Sequence, residues 1–255
     1  MLSRAIALQL FDFYVEWSEK NQNRSMRQVL ELLSSLIARN PDEEVSAAIK
    51  SSILSRTLTV ITHPSIQPAV KPCFKVLECF LGKGSISPHE VHVAYSESLS
   101  YTITGGSDKA HIPSDSLWSN LVSSVFYWLG PADVSPAAGK FLVTLFKALK
   151  AGSSQGTAGG HSTLWQHWIR QGIAQTPDAL ENVKNYLFTP LFKLDRSGSV
   201  AFLRDLNQKR SMSNLQSQEI DAHAMLQLAA IDAGKKSGLI EEPSGFLPHS
   251  SFQYR

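Results

Sequence analysis

The chain has 255 residues, of which 43% are hydrophobic and 18% charged, and its formal net charge is +2. This composition is typical of a folded protein rather than a disordered one, and so weak a net charge does not by itself predict a nucleic-acid-binding protein. No run of about 18 apolar residues occurs, so no membrane span is expected. Cys73 and Cys79 are expected to be buried, unpaired thiols, which favours a reducing intracellular compartment, the cytoplasm or the nucleus.

Apolar periodicity predicts helices along the first half of the chain. Residues 5–19 are apolar nearly all round, which indicates a helix covered on more than one side. Residues 25–38 follow a helical stripe that is predicted to face inward and consists of Met26, Val29, Leu30, Leu33, Leu36 and Ile37. Pro68 and Pro72 are expected in or near the first turn of their helix, since an interior proline costs about 3 kcal/mol. The other expected elements are helices over 41–61, 68–81 and 88–99, a turn at 82–85 and a loop over 101–113.

The second half is also predicted to be helical. A Gly/Ser-rich stretch over 151–160 is expected to be a mobile loop. Pro190 is expected to end the helix that begins near Thr176, and Gly234 is expected to cap the last long helix. That last helix carries an apolar stripe of Ile220, Ala224, Leu228 and Ile231. The remaining expected helices begin near Ser114, Ser135, Leu164 and Val200.

Four of these helix starts carry proline at the first helical position. Their predicted N-cap residues are Asn40, Ser87, Ser135 and Thr176, which lie 47, 48 and 41 positions apart. A polar N-cap side chain accepts hydrogen bonds from the free amides of the first turn, and proline fits the next position because its missing N–H is not needed there. Since helical repeat families have periods of roughly 40–47 residues, this spacing predicts stacked helix pairs.

One segment resembles the armadillo/HEAT-type helical repeat superfamily. Residues 47–61, the turn His63-Pro64-Ser65 and residues 69–77 look like the two helices of one such repeat. The resemblance implies an all-α fold, an irregular right-handed α-solenoid of antiparallel helix pairs, with one domain over 1–238 and an extended or disordered tail over 239–255. It also implies a non-catalytic scaffold or adaptor that binds protein partners in an intracellular assembly. The scarcity of polar end caps favours a segment of a longer solenoid.

Catalytic and metal-binding motifs find little support. Ser154 lies in a G-x-S-x-G sequence, but a helix rather than a strand is predicted before it, so a serine hydrolase is only a third hypothesis. His89 and His92 lack a third ligand, and the stretch that begins at Asp195 lacks the glycine and glutamate of a calcium loop. We therefore expect no catalytic residue, metal, cofactor or small-molecule substrate.

A basic stretch interleaved with aromatic residues is the remaining candidate site. Its aromatic members are Tyr186, Phe188 and Phe192, and its candidate binding residues are Lys184, Lys193, Arg196, Arg204, Lys209 and Arg210. Such a surface suits RNA or an acidic protein partner. The alternative hypothesis is therefore an RNA-associated factor in ribosome or tRNA maturation. It competes with a simpler interpretation, in which the aromatics are core and the charges are solvated.

Overall fold

The computed structural model describes residues 2–18, 24–39, 43–62, 67–104, 114–152, 160–208 and 217–240. Every regular element in these ranges is helical and none is a strand, which confirms the predicted all-α class. The chain divides into two compact units: unit 1 is Met1–Val125 with Thr144–Leu149, and unit 2 is Phe126–Val143 with Lys150–Arg255.

The helices follow one another through both units. In chain order they are α1 (Leu2–Ser18), α2 (Arg24–Ala38), α3 (Glu43–Thr62), α4 (Gln67–Gly82), α5 (Pro88–Thr104), α6 (Ser114–Tyr127), α7 (Ser135–Gly152), α8 (Gly160–Gln175), a 3₁₀ turn (Pro177–Ala179), α9 (Leu180–Val183), a π segment (Lys184–Phe188), α10 (Thr189–Leu194), α11 (Arg196–Gln208) and α12 (Ser217–Lys236).

The core of unit 1 is built around α3 and α4. The helix α3 packs against α1, α4 and α5, while α2 packs against α1 and α4. Fully buried side chains of this core include Leu33, Ile53, Leu58, Phe74, Leu77 and Phe80. Burying each such side chain stabilises the fold by roughly 1.5–3 kcal/mol. One polar contact lies among them, a 2.6 Å hydrogen bond between the buried hydroxyls of Ser34 and Ser85.

The ends of α4 and α5 follow the local sequence signals closely. Gly84 has φ 69°, and the amide of Ser85 donates to the carbonyl of Phe80, as expected for a glycine-terminated helix. The hydroxyl of Ser87 accepts from the amide of Glu90 at 3.2 Å, and the Glu90 carboxylate accepts from the amide of Ser87 at 2.7 Å. This reciprocal pair is a capping box, and it confirms Ser87 as the predicted N-cap residue.

Several predicted boundaries are wrong. The helix α5 continues to Thr104, so residues 101–104 of the predicted loop are helical, and residues 105–113 lie outside the described residues. The helical hydrogen bonds outweigh the weak helix propensity of the Ser-Tyr-Thr-Ile-Thr sequence. Pro72 is the sixth residue of α4, beyond its first turn. The helix α7 runs through Gly152 and α8 begins at Gly160, while residues 153–159, including Ser154, lie outside the described residues.

Two of the four proline-marked starts lack the predicted side-chain cap. The hydroxyl of Ser135 donates to the carbonyl of Ala132, and that of Thr176 donates to the carbonyl of Gly172 at 2.8 Å. The chain after Thr176 first forms a 3₁₀ turn rather than an α-helix. Of the other two starts, Ser87 is confirmed, and Asn40 lies outside the described residues.

Pro190 does not end a helix, contrary to the prediction. The π segment precedes it, and the amide of Thr189 reaches the carbonyl of Lys184, five residues earlier. Pro190 consequently falls in the first turn of α10, where a missing N–H leaves no intrahelical bond unmade. The wider π turn therefore allows a helical chain to continue through a proline.

The end of α12 lies beyond its predicted cap. The helix continues through Gly234 to Lys236, and Gly238, with φ 70°, occupies the left-handed position. A Cβ on Gly234 would lie 2.8 Å from Cδ1 of Ile240, so Gly234 provides close packing rather than a cap. Leu239 and Ile240, the first residues of the predicted tail, are buried, and residues 241–255 lie outside the described part.

Both cysteines were expected to be buried and unpaired, and this prediction is confirmed in full for Cys73 only. Cys73 is buried and Cys79 is half-buried, and neither forms a disulfide. Burial raises the pKa of the Cys73 thiol to about 12, so this group stays protonated and unreactive at neutral pH. Across the described ranges, none of the helices combines the length and apolar character that crossing a membrane requires.

Candidate partner-binding groove

A groove in unit 2 lies between α12 and the segment that leads into the π turn. We call it the α9–α12 groove. Its volume is about 520 Å³, and its lining residues are Asp178, Leu180, Glu181, Lys184, Met225, Leu228, Ala229 and Asp232. Half of these side chains are apolar and half are charged. The groove therefore combines apolar lining side chains with charged ones, which we call the rim, and this composition is common in sites that bind a peptide or helix.

Two exposed side chains of α12 supply most of the apolar lining of the groove. Met225 is 57% exposed and Leu228 is 68% exposed, the two most exposed of the large apolar side chains described. They lie three residues apart, so they share one face of the helix. Exposed apolar side chains that adjoin a concavity indicate an interaction surface more strongly than isolated ones do.

The inward stripe predicted for α12 is therefore wrong at Leu228, and Ala224 is exposed as well. The buried face of α12 is instead Leu226, Ala229, Ala230 and Ala233. The small alanines allow α12 to lie close to the π segment and to α10, which it packs against. Because the alanines allow the backbone of α12 to come close to these segments, their side of the helix faces the core. The larger Leu228 remains at the surface.

The charged rim is a network centred on Lys184. Its ammonium lies 2.7 Å from the Glu181 carboxylate and 3.3 Å from that of Asp232, and Lys236 also contacts Asp232 at 3.2 Å. The hydrogen bond to Glu181 is the main reason that the pKa of Lys184 is raised. The pKa values of Glu181 and Asp232 are lowered, chiefly by Lys184 and Lys236 respectively. These shifts keep Lys184, Glu181 and Asp232 charged at neutral pH.

The groove is acidic, although sequence analysis predicted a basic surface at Lys184. Its lining contains the three carboxylates of Asp178, Glu181 and Asp232 and the single ammonium of Lys184. The Lys184 side chain is only 17% exposed and is neutralised by two of these acids. Lys236 pairs with Asp232 as well, so three carboxylates face two ammonium groups and the local excess is one negative charge, which favours a cationic partner over a phosphate backbone.

The other predicted binding residues lie on α10 and α11. Lys193, Arg196 and Arg204 are exposed. The guanidinium of Arg196 donates to the carbonyl of Gly238 at 3.2 Å, which ties the start of α11 to the end of α12. Lys209 and Arg210 lie outside the described residues.

The aromatic residues of the predicted surface do not line an exposed face. Phe188 and Phe192 are fully buried and pack 5.5 Å apart, measured between ring centroids, while Tyr186 is half-buried. Buried rings cannot stack on nucleic-acid bases. Among the described residues of the predicted basic and aromatic surface, the exposed ones are therefore Lys193 of α10 and Arg196 and Arg204 of α11.

Asp195 is a structural residue of this region that sequence analysis did not identify. It precedes α11, and its carboxylate accepts from the amide of Gly198 at 3.3 Å and from the indole N–H of the buried Trp165 at 3.0 Å. Lys150 lies 3.4 Å from the same carboxylate. Burial alone would raise the pKa of Asp195, but the Trp165 and Gly198 bonds and Lys150 outweigh it, so the pKa is lowered. An acid before a helix is an N-cap signal that the sequence does contain.

The described residues contain no cluster of three or more histidine, cysteine, aspartate or glutamate side chains that could hold a metal ion. His89 is exposed on α5. The ring of His92 lies 5.2 Å from that of Trp118, so His92 packs against an aromatic side chain.

Comparison with known proteins gives no match: no protein-family model, no curated protein and no solved structure is significantly similar to this chain.

Proposed function

We propose that this chain is a non-catalytic scaffold of the irregular α-solenoid type, which binds a protein partner through the α9–α12 groove. The observation that carries the proposal is the exposed Met225–Leu228 pair beside a rim with excess carboxylates. An amphipathic helix lays its apolar face into such a groove, and basic residues on its flanks complement an acidic rim. The expected partner segment is therefore an amphipathic helix that carries lysine or arginine.

The rigidity of the groove walls supports this proposal. Lys184 links the π segment to α12 through Asp232, and Arg196 links α11 to the residue that terminates α12. A groove that is held open before binding loses less conformational entropy when its partner docks. Helix pairs that pack on their chain neighbours in unit 1, such as α1–α2 and α3–α4, support the solenoid part of the proposal.

The proposal is tested with two synthetic helical peptides. Both carry leucine at positions i, i+3 and i+7, and their flanks carry lysine in one and glutamate in the other. The lysine peptide is expected to bind, with an affinity that falls as salt is added. Leu228→Gln is expected to raise its dissociation constant about tenfold, because burying a leucine contributes roughly 1.5–3 kcal/mol. Val93→Gln, which replaces an exposed apolar residue of unit 1, is the matched control.

Charge reversal provides the second arm. Asp178 is exposed on the groove rim, so Asp178→Lys should weaken binding of the lysine peptide and strengthen binding of the glutamate peptide. Equal binding of both peptides by the unaltered protein would contradict the proposal. Salt-sensitive RNA binding that is lost when Lys193, Arg196 and Arg204 are changed to alanine would support the alternative RNA function instead.

A further inference from the structure

The first two helices of unit 1 carry a second apolar stripe that the core does not use. On α1 the buried stripe is Ala7, Phe11, Tyr14 and Ser18, whereas Ile6, Phe13 and Trp17 are each more than 40% exposed. At about 100° per residue, the exposed stripe is centred about 120° from the buried one. The rings of Phe13 and Trp17 stack 5.9 Å apart, so they form one continuous apolar surface.

The helix α2 repeats this arrangement. Its buried stripe includes Leu30, Leu33 and Ile37, while Leu32 and Leu36 are 52% and 40% exposed. Leu36 was predicted to face inward, and the structure shows that it does not. Leu32 and Leu36 lie on the same side of the helix, four residues apart.

Contacts of α1 and α2 with their neighbours place both exposed stripes on one outer face. Arg56 of α3 bonds to Asp12 of α1, and Ser85, which follows α4, bonds to Ser34 of α2. On helical wheels the exposed stripes of α1 and α2 lie on the sides away from Asp12 and Ser34. Because α1 and α2 pack on each other, the stripes adjoin. We call this surface the α1–α2 outer face.

The size of this face fits an interaction surface. Its five exposed side chains are Ile6, Phe13, Trp17, Leu32 and Leu36. Together they present an apolar area on the order of 400 Å², within the range of the largest patches on soluble proteins, which are often functional. Two such patches that face each other, with their polar margins, reach the lower range of specific protein interfaces, about 1,200 Å².

The charges on the two helices indicate which partner would cover the face. Arg27 pairs with Glu31, Asp12 pairs with Arg56, and Arg4 donates to Ser52. Among the described charged side chains of α1 and the α2 segment, the remaining two are Glu16 and Arg39, both exposed.

Glu16 and Arg39 lie at opposite ends of the helix pair. Five residues connect α1 to α2, which makes these packed helices antiparallel. Glu16 is therefore at the end with the connection, and Arg39 is at the other end. If the two-fold axis of a dimer runs perpendicular to the helices, the Glu16 end of one copy lies against the Arg39 end of the other. If the axis runs parallel to the helices, Glu16 faces Glu16 and Arg39 faces Arg39, so like charges are opposed.

We propose that the α1–α2 outer face binds a second copy of this chain as an antiparallel, two-fold symmetric pair. The apolar stripes of the two copies pack on each other, and Glu16 and Arg39 form complementary pairs at both ends. Such an interface is isologous, so both copies use the same residues. It is separate from the α9–α12 groove and does not depend on the function proposed there.

Sedimentation equilibrium tests this proposal. The unaltered chain should show an average mass that rises with concentration from 28.1 kDa toward twice that value. Leu36→Glu places a charge in the centre of the face and should raise the dimer dissociation constant about 100-fold. Val93→Glu, an equally polar change at an exposed apolar side chain of α5 outside this face, should leave it unchanged.

Charge exchange tests the orientation. Glu16→Arg and Arg39→Glu should each weaken self-association about tenfold, because each variant opposes like charges at both ends. An equimolar mixture of the two variants should form a heterodimer with near-normal affinity. A chain that stays monomeric at every concentration, or a mixture that associates no better than its components, would overturn the proposal.

Discussion

Replacement of Asp195 by alanine should destabilise unit 2 by about 2–4 kcal/mol. The carboxylate caps α11 through the amide of Gly198, and loss of a cap costs roughly 0.5–2 kcal/mol. It also accepts the hydrogen bond of the buried indole N–H of Trp165, and a buried donor left unpaired costs roughly 1–3 kcal/mol. Lys150 adds little, because its side chain is 54% exposed and the pair is screened by solvent.

Thermal and urea denaturation measure this effect. A loss of about 2–4 kcal/mol lowers the melting temperature of a domain of this size by roughly 5–12 °C. Asp195→Asn should cost less, because its amide oxygen can still accept one of the two bonds. Asp133→Asn changes an exposed acid of unit 2 and is the matched control. Surface substitutions are expected to shift the melting temperature by about 1 or 2 °C at most. A melting temperature for Asp195→Ala that lies this close to that of the control would refute this reasoning.

The pH dependence gives an independent check. Because folding lowers the pKa of Asp195, its ionised form contributes stability that is fully present above the unfolded value of about 3.9 and is lost as pH falls through the folded value. The stability difference between the unaltered protein and Asp195→Asn should therefore be largest near neutral pH and shrink in acid. A difference that grows as pH falls would show that the sign of the shift is wrong.

Two further outcomes follow from the geometry. A Cβ on Gly139 would lie 2.6 Å from Cβ of Tyr186. Gly139→Ala should therefore lower the free energy of unfolding by about 1–3 kcal/mol, as measured by urea denaturation. Gly82→Ala is the control and should not show this loss, because a Cβ there would lie 3.7 Å from its nearest neighbour. Ser87→Ala should cost roughly 0.5–2 kcal/mol, because the cap of α5 is lost, and no loss would contradict the capping box.

Features encoded by neighbouring residues could be predicted from the sequence. The capping box needs only Ser87 and Glu90, and the turn after α4 needs only a glycine at Gly84, so both depend on residues within one helical turn of each other. The apolar periodicity likewise predicts the all-α class. Pro190 shows the limit of such local rules, because the sequence carries no simple sign of a π turn that accommodates it.

The groove depends on contacts between distant residues and was therefore not predicted. Lys184 is basic in sequence, but its partner Asp232 is 48 positions away, so the acidic surroundings appear only after folding. Leu228 matches an inward stripe, yet the small side chains Ala229 and Ala233 decide which face of α12 packs closely. Asp195 and Trp165 are separated by 30 residues and meet only in the folded unit.

The proposed function is tested most directly by quantitative recovery of partners from cells. The unaltered chain, a Met225→Gln and Leu228→Gln double variant, and the Val93→Gln control are expressed at equal levels, and co-purified proteins are quantified by mass spectrometry. All three should fold, because the altered side chains are exposed. The account predicts partners that the control retains and the double variant loses, with a basic amphipathic helix among their segments. Identical partner sets for all three proteins would contradict the groove as the binding site.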